Sequence, residues 1–403
     1  MSRDTRHVGK SFLKHQVAKT ISRKTGIYSG MTGLITTMIR ANWNKIPPTG
    51  EKPMFESLGF ETLTAPQAAV WFALAIGLAF GALAQITRFC LRRAVVGADR
   101  RQAAGVWLTA LAVAVLGTQG ALHVGLIGFD DHRFMVTELP ILAILAGGVL
   151  FGIGMVLTRG CVSRLTVLTG AGNLRALTVL VVFAITAHAT LKGVLAPLRT
   201  SLGSVTLPLD SATLPGDPLI WAALIAGLSL VFALRSGNRA GTLILAALIG
   251  LLVPLAWVGT GYVLYDDFDP IAMESLSFTS PAADAIFYAL ASTAVSPGFG
   301  TGLVGGVVVG ALATALLTGR FAWQSFTSPR ETGRYFAGAV LMGVGGVLAG
   351  GCTVGAGLAG VPTLSLAAGL ALMSIVAGGL IADRILRGLP TSESGNAALH
   401  PAE

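Results

Sequence analysis

Charge is the first thing this sequence is short of. Only 12% of its 403 residues are charged, about half the roughly 25% of a soluble domain. With 53% hydrophobic residues and a mean hydropathy of +0.73, this excludes a disordered chain, a nucleic-acid-binding module and an ordinary cytosolic enzyme. Cysteine is also scarce. Three thiols, Cys90, Cys161 and Cys352, cannot all pair within one chain, so a disulfide framework does not organise the fold. No nucleotide-binding fingerprint occurs. What the chain has in excess is glycine, 52 residues, against a usual share of about 7%. The composition is that of an all-α polytopic membrane protein built from glycine-rich helices.

The net charge of +9 is unevenly placed. Residues 1–53 carry ten Lys or Arg and two acids, so this segment is +8 and the remainder close to neutral. The extension reads as a basic arm lying on anionic lipid or as an artefact of the start site, with Met54 as the true start; the second reading is preferred. A secretory signal peptide fits poorly, because the run 31–39 is short and lacks a small-residue cleavage site.

A membrane helix needs roughly 20 mostly apolar residues. Nine runs qualify: 66–86, 104–126, 138–158, 174–196, 218–235, 240–262, 298–318, 335–350 and 363–383. The membrane domain is set at 54–388 and a tail at 389–403. Short segments at 88–96, 160–169 and 351–360 read as half-membrane helices or re-entrant turns. Non-helical backbone at membrane depth survives only around a cavity or inside protein, and such breaks point to a transport site.

Loop charges set the orientation. Arg92, Arg93, Arg100, Arg101, Arg159, Arg164, Arg175, Arg235, Arg239, Arg320, Arg330, Arg334, Arg384 and Arg387 fall on one side of nine crossings. Asp130, Asp131, Asp266, Asp267, Asp269, Glu274 and Asp284 fall on the other, with Lys192 and Arg199 as exceptions. The C-terminus is then cytoplasmic, as expected for a multi-pass protein of a bacterial inner membrane. A tail of +8 outside breaks the rule, which again favours Met54.

Residues 147–161 (GGVLFGIGMVLTRGC) repeat at 338–352 (GAVLMGVGGVLAGGC), with nine of fifteen positions identical. A weaker echo joins 77–90 to 305–321. In the nine-span topology the two main copies run in opposite directions, so an inverted repeat meeting at the midplane is expected.

All three cysteines stand at a span's end or at the start of a short segment. A half-helix offers unpaired N–H groups and a positive dipole end, which suits an anion, and a thiol there offers a soft S–H donor. Cu(I) would also suit thiols, but only Met155 lies near one, so no metal and no cofactor is assigned. Gly160 and Gly351, each before a cysteine, and Thr353 complete the two Gly-Cys turns. Arg88, Arg164, His188 and Lys192 are the clearest ionisable groups within the apolar runs and are binding candidates by default; snorkelling, core packing and loop topology are the competing readings for Lys192, His188 and Arg164. Asn173 is expected to cap the next helix.

With "RFCLRRA" (88–94), the stretch 154–190 and "GVGGVLAGGCTVGAGLAGVPTLSLAAG" (343–369), the chain resembles the YeeE/YedE sulphur-transport family over about 66–388. The resemblance implies nine membrane helices and several half-membrane helices around an hourglass-shaped path. It implies uptake of thiosulfate relayed by S–H···S contacts, not covalent chemistry, with the functional cysteines on Cys90, Cys161 and Cys352. It also implies a cytosolic sulfur-carrier or rhodanese-like partner. Two positions depart from the family pattern: Arg159 stands where glycine is usual, and Arg164 follows Ser163 where glycine is commoner. The expected function is a transporter, not an enzyme, with a small sulfur-containing anion and the lipid bilayer as partners and no nucleic acid. The alternatives are a membrane sulfurtransferase forming a cysteine persulfide, or a selenium-compound transporter.

Overall fold

The computed structural model describes residues 55, 63–130 and 132–388. The basic extension 1–53, the start at Met54 and the tail 389–403 lie outside the described residues. The helices, in chain order, are α1 (Ala65–Thr87), α2 (Leu91–Val96), α3 (Arg100–His123), α4 (Ile141–Leu157), α5 (Val162–Gly170), α6 (Leu174–Lys192), α7 (Ala196–Gly203), α8 (Pro218–Leu234), α9 (Ala240–Val258), α10 (Thr279–Leu290), α11 (Phe299–Leu317), α12 (Pro329–Leu348) and α13 (Leu366–Gly388). A π-helical turn, Gly259–Val263, extends α9, and a second π-helical segment, Thr353–Gly360, follows Cys352. Two-residue strands β1 (Glu138–Leu139) and β2 (Leu207–Pro208) pair antiparallel. The architecture is all-α and multi-pass.

Among the described residues, eight helical segments are long and apolar enough to cross a membrane, and α8 adds a shorter apolar helix of 17 residues. Each of the nine expected runs falls on one of these. Local chemistry sets their starts. The Asn173 side chain accepts from Ala176 N at 3.0 Å, as its position before α6 implied. Asp217 accepts from Leu219 N at 2.8 Å, with Pro218 first in α8. Ser328 accepts from Glu331 N at 3.2 Å, so α12 begins six residues before the expected run.

Glycine contacts give the direction of the packed helices. An added Cβ at Gly77 would meet Leu303 O at 2.4 Å, and one at Gly81 would meet Val307 O at 2.3 Å. Both numbers rise together, so α1 and α11 run parallel. In the same way α4 runs parallel to α13 (Gly148 on Ser374, Gly152 on Gly379), and α3 to α9 (Ala110 on Gly250, Gly117 on Pro254). By contrast Gly147 lies on Leu348 and Ala349 while Gly154 lies on Gly338, so α4 and α12 run antiparallel. All four directions fit nine alternating crossings. The two copies of the main repeat pack face to face in opposite directions. The weaker echo is different: its helices α1 and α11 run the same way and are not an inverted pair. Their likeness reflects glycines repeated every four residues, which a close helix seam requires.

One end of the molecule collects the arginine-bearing loops. Arg100 reaches Asp383 at 3.3 Å, Arg175 reaches Glu331 at 2.8 Å, and Asn173 Nδ2 donates to Gln324 at 2.8 Å. The opposite end carries β1, β2 and the acidic 264–278 segment. The core between them holds Phe80, Phe151, Phe183, Met155, Met342 and all three cysteines, while α8 turns Leu224, Leu228 and Val231 outward.

Candidate functional site

The three cysteines occupy the same local structure three times. Cys90 precedes α2, Cys161 precedes α5, and Cys352 precedes the π-helical segment, each as the extended N-cap residue. Two residues before each stands a left-handed residue: Arg88 (φ 54°), Arg159 (φ 59°) and Gly350 (φ 74°). The long helix ends, one residue reverses it, and a short helix starts at the thiol. Phe89 N returns to Ala84 O at 3.2 Å and Gly160 N to Met155 O at 3.1 Å, which satisfies the carbonyls of the ending helices. The short helices have six, nine and eight residues, so none rises more than about 14 Å, half of the roughly 30 Å apolar core of a bilayer.

All three thiols are free and buried. They form a row. Gly355 N–H donates to Cys352 Sγ at 3.4 Å. The next residue, Thr353, sets its hydroxyl beside Cys161. Cys161 Sγ lies 3.3 Å from Ser163 Oγ and against the Cys90 thiol. Cys352, Thr353, Cys161 and Cys90 are therefore consecutive steps, drawn from both copies of the repeat and from α1.

The two glycines singled out beside the cysteines differ. A Cβ at Gly351 would approach Ala356 N to 2.9 Å, so the turn leaves no room for one; at Gly160 it would meet the Leu165 and Arg164 side chains at an ordinary 3.4 Å or more. Arg164 lies in the first turn of α5, half-buried, its Nη1 3.5 Å from Ala84 O. It shares its surroundings with Cys90, Cys161, Arg88 and Arg93. Arg93 Nε donates to Asp99 at 2.9 Å, and this contact holds the Asp99 carboxyl below its usual range. The Cys90 end of the row thus opens into positive charge. His188 and Lys192 sit elsewhere. His188 stacks on Phe287 of α10, with ring centroids 5.0 Å apart, and both residues face Asp284.

A cavity of about 320 Å³ opens at the opposite end, lined by Arg133, Arg199, Thr279, Ser280 and the stretch 346–350 that leads into Cys352. Arg199, an exception to the charge pattern of the loops, is therefore a cavity cation. Arg133 is a second one, which sequence reasoning missed; the same criterion, a cation on the acidic side, would have found it. Its guanidinium opens onto the cavity over the Phe134 ring, 5.1 Å from the centroid. Burial lowers the pKa of Arg133 and Glu274 opposes that effect. Among the described residues no group of three His, Cys, Asp or Glu is placed to hold a metal ion.

The sulphur-transport family model matches residues 86–381, which include all three cysteine turns. The chain belongs to the sulphur-transport family. It is similar to a thiosulfate transporter of Spirochaeta thermophila, with 26% identity over 334 residues that cover 77% of this chain and 96% of that protein. It is also similar to a thiosulfate transporter of Escherichia coli K12, with 27% identity over 320 residues that cover 71% and 85%. Both relatives are named as transporters, and neither name describes an enzyme.

Proposed function

We propose that the chain takes up thiosulfate, or a closely related sulfur oxyanion, across a bacterial inner membrane along its row of thiols. The observation that carries this reading is the contact sequence Cys352–Thr353–Cys161–Cys90, in which each thiol starts a half-helix. The two named thiosulfate transporters among its relatives support the substrate.

The anion enters from the acid-rich end, taken as external. Acidic loops repel anions in bulk, so the cavity cations Arg133 and Arg199 supply the local attraction. At Cys352 the anion meets a positive helix end. A neutral thiol donates a soft S–H contact to the terminal sulfur, and no bond to sulfur forms or breaks. The next thiol, Cys161, offers the same contact, so the anion moves between similar sites and is trapped in none. Arg164 and Arg88 receive it at the Cys90 end, taken as cytoplasmic together with the C-terminus. Gly160, Gly351 and Thr353 shape the turns. His188 and Lys192 act at a distance from this path, against α10. A cytosolic sulfur-carrier or rhodanese-like protein consumes the anion and keeps uptake downhill.

The test is uptake of labelled thiosulfate in cells lacking their own sulfur importers. Cys161→Ala and Cys352→Ala abolish uptake while the protein remains in the membrane, and serine at either position rescues poorly because its hydroxyl is a harder donor to sulfur. Normal thiosulfate-dependent growth of the Cys161→Ala strain would refute the relay.

A further inference from the structure

Cys352 is approached by a second helix start that the row of thiols does not use. Residues 276–278 lead into α10, with Phe278 as its N-cap residue and Leu276 and Phe278 fully buried. The Phe278 backbone N–H faces the Cys352 thiol. The Ser277 hydroxyl lies over Gly355, where an added Cβ would come within 2.7 Å of it, and Gly355 N–H is the donor to Cys352 Sγ. Thr279, the first residue of α10, lines the cavity together with Gly350. Two helix N-termini therefore converge on one thiol.

The hydroxyls are what mark the place. Ser277 is 9% exposed and Thr279 4%, yet among the described residues neither Oγ has a hydrogen-bond partner. Thr118 is a third such hydroxyl, but most buried hydroxyls behave otherwise. Ser275 donates to Val253 O at 3.0 Å, and Thr109, Thr158 and Thr166 each donate to a carbonyl of their own helix. A buried hydroxyl left without a partner is costly, so a pair of them beside a thiol is explained by a ligand that supplies the acceptors.

We propose that Ser277 and Thr279 donate hydrogen bonds to the oxygens of the passing anion while Cys352 takes its terminal sulfur. This rests on the reading of the chain as a thiosulfate carrier and names what selects the substrate. Thiosulfate has a soft sulfur at one end and hard oxygens at the other. Sulfate lacks the first and hydrosulfide the second. A site built to hydrogen-bond a group rejects an analogue without it more strongly than an apolar pocket does.

The test compares Ser277→Ala, Thr279→Val and the double variant for KM of labelled thiosulfate uptake, with methanesulfonate and hydrosulfide as competitors. Each single variant raises KM by about tenfold. The double variant loses inhibition by methanesulfonate and keeps inhibition by hydrosulfide. Thr279→Ser restores KM, which a role of Thr279 in packing alone does not predict. Unchanged KM in the variants beside normal wild-type uptake overturns the inference alone. A wild type that takes up no thiosulfate overturns the transport reading and the inference with it.

Discussion

Gly306 and Gly305 are neighbours on α11 that face opposite ways, and replacing each by alanine tests how the α1–α11 seam holds Cys90. At Gly306 the new Cβ would lie 2.3 Å from Leu74 O and 3.0 Å from both Gly77 Cα and Leu78 N. The obstructing atoms are backbone of an opposing helix, so no side chain can turn away. Comfortable contact needs roughly 3.5 Å, so α1 and α11 must separate by about an ångström. Overpacking of this kind costs about 1–3 kcal/mol, and the rigid backbone on both sides puts Gly306→Ala at the upper end. At Gly305 nothing lies within 4 Å of the new Cβ. There alanine is neutral, or favourable by up to about 1 kcal/mol from helix propensity. The assay is thermal denaturation in detergent, read as the monodisperse fraction remaining, where a difference of about 3 kcal/mol separates the two variants by about 5 °C or more. Thiosulfate uptake falls in Gly306→Ala as well, because α1 ends three residues before Cys90 and carries it away from Cys161. Equal melting temperatures for the two variants would refute the reading of the seam.

Two further predictions concern residues beside the path. Arg159 is exposed with φ 59°, a conformation that costs a side-chain-bearing residue about 1 kcal/mol or more. Arg159→Gly therefore raises the melting temperature, and a fall would show that the guanidinium contributes more than the strain removes. His132 packs among Phe129, Phe134 and Trp257, and burial, with Arg133 beside it, lowers its pKa to about 4. Its folded pKa lies below its unfolded value of about 6.5. The neutral ring thus supports the fold fully above that pH, and its contribution is lost as pH falls from about 6.5 toward 4. The wild type loses melting temperature over this window faster than His132→Phe does; parallel profiles would refute the assignment.

The eight long apolar segments and the shorter α8 were legible because each is a long apolar run, and length is a property of the sequence alone. The gathering of arginines at one end was legible for a similar reason, since Arg100, Arg175, Arg235 and Arg320 all stand in loops that follow odd-numbered runs. The helix α10 was not, because its 12 residues are too few to register as a span and its start depends on packing against Cys352. The departure at Arg159 was visible in the sequence, but its meaning is a backbone angle: the position after an ending helix takes a left-handed residue, normally glycine, as Gly350 does in the other copy. The weaker echo between α1 and α11 has a physical reason other than an inverted repeat, since glycines every fourth residue also serve a parallel seam. Ser277 and Thr279 were invisible because a short polar stretch in an acidic loop has no pattern until Cys352, some 75 residues later in the chain, is placed beside it.

The repeated turn explains why a glycine-rich membrane protein needs so few functional side chains. A half-helix that starts inside the protein exposes N–H groups that a continuous helix would consume. A single thiol at that point turns a general anion site into one that favours sulfur. Placing one such turn at the end of each copy of an antiparallel repeat brings the two starts toward each other from opposite ends, and α1 adds the third. Thr353 against Cys161 closes the gap between the copies, and Cys161 against Cys90 leads on to Arg164. In the proposed path, selectivity is shared between backbone geometry, which any anion feels, and five small side chains at 90, 161, 277, 279 and 352, which only an anion with both sulfur and oxygen satisfies.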